Sequence, residues 1–260
     1  MKHRTAAIFY HVNDFNRPDA ACVGHIARYL AKHNFEVIDY FWALRDDLPE
    51  NTHDYDVLFI MGGPGSVYDT ERPEWMDHEI HLIEQRIINQ QKTIGICLGG
   101  QMLALASGGQ VSSNHYFEFG FHPVSFLHDT GHPVLEGIPK TEIFMHWHHD
   151  GFCPPEGAIS IATSDAARHE LCDNECEGSQ AFVYDSFLAI QFHPEMSLET
   201  VQINHANMTE DTERYKQSKS VVQELAPIYL ASETDPSENC ARDIFFKLLD
   251  NFLKPQNNDQ

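Results

Sequence analysis

Apolar residues in this chain come in two rhythms. As far as Gly109, short unbroken apolar runs alternate with stretches in which apolar side chains recur every three or four positions. Ala6-Ala7-Ile8-Phe9-Tyr10 reads as a strand, Ala20 to His33 has helical spacing at Cys22, Ile26, Tyr29 and Leu30, and Phe35 to Tyr40 alternates as a second strand. Val57 to Met61 is a buried-strand run that stops at Gly62-Gly63-Pro64-Gly65. A helix is predicted from about Pro73 to Gln90, since proline is tolerated in a first helical turn. Thr93 to Cys97 is again strand-like, and Gln101 to Ala106 continues as a helix ending at Gly108-Gly109. Such alternation implies βαβ units around a mostly parallel sheet, open and covered by helices on both faces.

Between Gln110 and Ile190 the rhythm changes. Phe121 to Leu127, Glu142 to Trp147, Ile159 to Thr163, Ala181 to Tyr184 and Leu188 to Phe192 are short strand-like runs split by turn residues. Antiparallel strands added to the parallel core would make the sheet mixed. From Leu198 the chain turns polar and helical, with helices expected over Leu198 to Leu230 and Cys240 to Leu253 and a linker at Ser232 to Ser237. The predicted organisation is an α/β domain over 1–197 and a helical extension, 198–260, packed on it.

Charge narrows the partners. Against 17 Lys and Arg stand 39 Asp and Glu, a formal net charge of −22 in 260 residues. A surface that acidic repels phosphate backbones and anionic lipid, so neither nucleic acid nor a membrane surface is expected. No run approaches the roughly 18–20 apolar residues of a membrane helix, and the apolar N-terminal run lacks a cleavage pattern and reads as a strand. The six cysteines are scattered in a chain too long to need a disulfide framework, which predicts a reduced, cytoplasmic setting.

One of those cysteines has a special address. Cys97 ends an apolar strand and begins a helix in Gly95-Ile96-Cys97-Leu98-Gly99-Gly100-Gln101. A nucleophile on so tight a turn needs small neighbours, and the helix N-terminus favours its thiolate. A cysteine nucleophile needs a base, and the base needs an orienting group. Gln191-Phe192-His193-Pro194-Glu195 offers both: a strand delivers His193, and Glu195 turns back to it. The Gly62 to Ser66 loop lets backbone N–H groups approach a substrate oxygen. It lacks the Gly-Lys-Ser/Thr ending of a nucleotide phosphate loop.

Together these strings, in this order, resemble the class I (triad-type) glutamine amidotransferases, over roughly Ile8 to Glu195. The likeness is greatest to stand-alone members described as GMP synthase-like, which carry strings similar to His146-Trp147-His148-His149-Asp150, Pro154-Pro155 and Gly137-Ile138-Pro139. The resemblance implies a flavodoxin-like fold and a catalytic Cys97, His193 and Glu195. It also implies an oxyanion hole of the Gly63 and Leu98 N–H groups, and substrate contacts from Gly62, Gly65, Gln101, Trp147, His148 and Asp150. The implied activity is release of ammonia from the glutamine side-chain amide through a cysteine thioester, without a cofactor, for an acceptor or a synthetase partner chain. The alternative is a stand-alone hydrolase of a small γ-glutamyl compound. Two departures stand out: no ATP-using phosphate loop follows Glu195, and His149 replaces a glycine common among relatives.

A metal centre is the competing chemistry. His146-x-His148-x-Asp150 matches part of a metallohydrolase string, but Gly151 stands where the next ligand histidine should be. Metal catalysis would also leave the cysteine turn and glycine loop without a purpose, so no metal is expected. His169, Cys172 and Cys176 have the wrong spacing for a zinc knuckle and read as a solvated loop. A non-catalytic module on the same fold is disfavoured by the intact set of three residues.

Overall fold

The computed structural model describes residues 4–11, 24–41, 48–164, 179–196, 200 and 241–254, with backbone alone for 114–117. The expected helix over Leu198 to Leu230, the linker after it and the His169 to Cys176 loop lie outside these residues, Thr200 apart. Nine strands are described: β1 (Arg4–Tyr10), β2 (Phe35–Phe41), β3 (Val57–Ile60), β4 (Thr93–Ile96), β5 (Gln110–Phe126), β6 (Thr141–Cys153), β7 (Ile159–Thr163), β8 (Ser179–Tyr184) and β9 (Phe187–Ile190). With them are helices α1 (Gly24–Lys32), α2 (Glu74–Ile88), α3 (Leu98–Ala106) and α4 (Ala241–Leu253).

Strands β2-β1-β3-β4-β9 lie parallel, in the order of flavodoxin-like folds. β1, β3, β4 and β9 are buried on both faces because helices cover both, while β2 at the edge is only partly buried, with Glu36 and Val37 exposed. Ala6, Ile8 and Tyr10 of β1 pack with α1 and α4, while Ala7 and Phe9 face the layer holding α2 and α3. The polar stripes of α1, α2 and α4 are left to solvent, which is how the sequence rhythm encodes their layers, while α3 is buried almost throughout. Among the described residues no helix is long and apolar enough to cross a membrane.

The expected open, mostly parallel sheet needs correction. Beyond β9 the sheet continues as β8-β6-β5-β7, all antiparallel, and β7 pairs back onto β8. That end therefore curls into a small barrel-like closure. It was hidden in the sequence because β5 and β6 are far longer than their apolar parts. β5 begins at Gln110 and runs through polar Ser112 and Ser113, with its register slipping between Ser113 and Glu118, and β6 continues past Trp147 to Cys153. Pairing between the two strands, not periodicity, keeps those polar segments extended.

One buried charge braces the parallel half. Arg86 of α2 is fully enclosed, donating from Nε to Thr93 Oγ1 at 2.9 Å and from its terminal nitrogens to the Thr52 and Lys92 carbonyls at 2.7 Å each. Burial pulls its pKa down to about 10, opposed by the Asp56 carboxylate. Arg86→Met would take the guanidinium donors from both carbonyls, leaving them the Tyr55 and Leu58 N–H groups alone, so a loss of about 1–3 kcal/mol in unfolding free energy is expected by urea titration.

Candidate active site

Three adjacent strands, β3, β4 and β9, end at the same edge, and each delivers one piece of the site. Carboxyl ends of parallel strands are where ligands bind in such sheets. From β4 comes Cys97, at φ 53° and ψ −110°, the residue capping α3. A non-glycine residue there is strained, and the surroundings hold it: its N–H donates to the Ile190 carbonyl at 2.7 Å, and its carbonyl accepts from the Gln101 N–H at 3.0 Å. Crossing of the chain so close to β3 and β9 explains the flanking glycines. A Cβ on Gly99 would lie 2.1 Å from the Ile60 carbonyl oxygen, and one on Gly95 would lie 2.3 Å from the Gly99 oxygen.

From β9 comes His193, whose N–H donates to the Met145 carbonyl of β6 at 2.7 Å. Its Nδ1 meets Glu195 Oε1 at 2.7 Å, with both side chains buried. The carbonyl of Glu195 is in turn held by the His25 N–H of α1 at 2.8 Å. Burial lowers the His193 pKa, but the Glu195 carboxylate and a hydrogen bond with Cys97 outweigh it and raise the group to about 10. Cys97 Sγ also lies 3.8 Å from the Trp147 carbonyl oxygen.

From β3 comes the glycine loop. A Cβ on Gly62 would stand 3.1 Å from His193 Cε1 and 3.3 Å from Cys97 Cβ, so this turn presses on both. Beneath it His11, which follows β1, makes bonds the sequence did not foretell. Its Nδ1 donates to the Met61 carbonyl at 2.9 Å and its Nε2 sits 3.0 Å from Glu79 Oε2. Burial opposes charge on this ring, yet the Glu79 carboxylate raises its pKa above the ordinary histidine value. A salt-bridged imidazole thus carries the loop, and a Cβ on Gly63 would fall 2.4 Å from the His11 Cβ.

The remaining candidates are spread in depth. Gly65 is exposed at φ +102°, and Trp147 is half-buried with its ring edge-on to Phe119. Gln101 is buried and donates to Gln191 Oε1 at 3.3 Å. Asp150 is buried and accepts hydrogen bonds from Ser66 at 2.6 Å and Tyr68 at 2.9 Å. His148 pairs with Glu118, 3.1 Å from Nε2 to Oε2. Asp150 therefore does not join the two histidines as the sequence string suggested; Glu118 of β5 stands in that place. A lone carboxylate in the apolar string Phe117-Glu118-Phe119-Gly120-Phe121 was the available signal for it.

A cysteine on a strand–helix turn, beside a histidine paired with a carboxylate, defines an α/β protein of the nucleophile-elbow type. The chain belongs to the class I glutamine amidotransferase family, whose model matches residues 19–208. It is 31% identical over 160 residues, 60% of its length, to the glutamine amidotransferase-like protein YfeJ of Salmonella typhimurium. It is also 31% identical over 147 residues to the glutamine-hydrolyzing GMP synthase of Chlorobium chlorochromatii. The matched stretch spans 63% of the first relative and 26% of the second. In fold it resembles a glutamine amidotransferase from Thermotoga maritima at a TM-score of 0.78 and 21% identity, covering 98% of this chain and 100% of that one.

Proposed function

We propose that this protein hydrolyses the side-chain amide of glutamine through a thioester on Cys97 and releases ammonia for an acceptor on a partner synthetase chain. What carries the reading is the strained Cys97 turn facing a buried His193 that is itself paired with Glu195 at 2.7 Å. The glutamine-hydrolyzing synthase among the relatives supports the choice of substrate.

In this mechanism His193 already holds the Cys97 proton, and the thiolate beside it attacks the amide carbon. The oxyanion is received by the N–H groups of Gly63 and Leu98, the latter among the first N–H groups of α3 and so without an intrahelical acceptor. Collapse expels ammonia with the proton from His193. Water, deprotonated by the same ring, then cleaves the thioester to glutamate and frees the thiol. Gly62, Gly65, Gln101, Trp147 and Asp150 surround the amino-acid end, with His148 behind them.

A panel of glutamine, γ-glutamyl amides and γ-glutamyl peptides, run with wild type and Cys97→Ala, tests the reading. Glutamate and ammonia are expected from glutamine with wild type alone, faster with its partner. Turnover confined to γ-glutamyl peptides would replace this reading by that of a stand-alone γ-glutamyl hydrolase. Gly63→Ala should push the loop off His11 and misaim its N–H. A fall in kcat of about 100-fold, with KM changed far less, is the expected steady-state result.

A further inference from the structure

The mechanism above leaves a buried polar cluster without work, in the closure behind Trp147. Glu118 of β5 and His146 and His148 of β6 are almost completely enclosed, and one ligating atom of each lies within 4.8 Å of the others. His148 Nε2 is 3.1 Å from Glu118 Oε2, and His146 Nδ1 is 3.3 Å from His148 Nε2 and 3.9 Å from Glu118 Oε1. We propose that these three residues form a structural site for a zinc-type divalent cation.

Ligand spacing is the first argument. Zinc holds nitrogen and carboxylate oxygen at about 2.0–2.2 Å, and tetrahedral angles then set neighbouring ligand atoms about 3.3–3.5 Å apart. The His148–Glu118 and His146–His148 separations, 3.1 and 3.3 Å, lie within a few tenths of an ångström of that, while His146 reaches the other carboxylate oxygen at 3.9 Å, so an ion would draw that edge in.

Proton accounting is the second. His148 Nδ1 lies 3.1 Å from the Asp150 carbonyl oxygen, which can only accept, so the ring proton sits on Nδ1. The lone pair on Nε2 then faces a carboxylate oxygen, and a cation must lie between them. A proton on Nε2 would serve Glu118 or His146 and leave the other facing a filled lone pair. A metal ion serves all three. His146 has no hydrogen-bond partner at Nε2 among the described residues, so its polar engagement is through Nδ1.

The surroundings complete a ligand shell. Ser164 Oγ donates to Glu118 Oε1 and Gln180 Nε2 to Glu118 Oε2, each at 2.8 Å, fixing the carboxylate. The His148 Nδ1 contact with a backbone carbonyl is the usual way a ligating imidazole is oriented. An ion here would join β5, β6, β8 and the residue after β7, closing the barrel-like end. It would also stiffen β6, whose Met145 and Trp147 carbonyls face His193 and Cys97. Three protein ligands leave one coordination position for water.

The test uses the full chain, purified without chelators and assayed for metal. About one zinc per chain is expected, and cobalt substitution should give the visible absorption of a tetrahedral site. Glu118→Gln and His148→Asn should lose both signals, while Cys97→Ser keeps them. Should either ligand variant fail to fold, wild type decides alone: zinc added to stripped protein should raise its Tm. Wild type that takes up no zinc and melts unchanged, or a folded Glu118→Gln that binds as much as wild type, would overturn the site, leaving a proton as the shared cation.

Discussion

Cys97→Ser is expected to lower kcat for glutamine hydrolysis by on the order of ten thousandfold or more, with the fold intact. Serine keeps the size of the side chain at the φ 53° turn, so the backbone bonds to Ile190 and Gln101 survive. What changes is the nucleophile. Beside Cys97 the raised His193 favours an imidazolium–thiolate pair, whereas an alcohol, a far weaker acid than a thiol, keeps its proton and attacks as a neutral hydroxyl. Single-turnover assays for bound glutamate, with circular dichroism as the check on folding, measure this. Serine activity within tenfold of wild type would place the nucleophile elsewhere.

The elements that proved legible in the sequence share a physical reason. β1, β3, β4 and β9 are buried on both faces, so their apolar runs are unbroken and point to strand without help from neighbours. The Cys97 turn was legible because its glycines are enforced by carbonyl oxygens near 2 Å from where a Cβ would stand. His193 and Glu195 lie two residues apart, so local spacing sufficed. Long-range pairing was not legible. His11 meets Glu79 across 68 residues of chain, and the role of Glu118 depends on which strand it faces across the closure. Polar residues in β5 carry no periodic signal, and a single step in register would turn Glu118 to the other face. For the same reason the sequence string set Asp150 with His146 and His148, where the fold places Glu118.

Glu195→Gln separates orientation from charge in the proposed triad. The amide can still meet His193 Nδ1 through its oxygen, but the negative charge is gone. In wild type, burial lowers the His193 pKa, and the Glu195 carboxylate, aided by the Cys97 contact, reverses that and carries the group to about 10. Loss of the carboxylate therefore moves the pKa down. In wild type the protonated ring persists through neutral pH, and the alkaline limb of kcat/KM reports its loss near pH 10. In the variant that limb should shift toward neutral pH, and the plateau should fall by on the order of 100- to 1,000-fold, because the imidazolium beside Cys97 is no longer stabilised. A merely structural Glu195 would lower the whole profile without moving its alkaline limb. Two profiles that superimpose after scaling would thus reduce Glu195 to a positioning contact, and a shifted limb would assign it the charge.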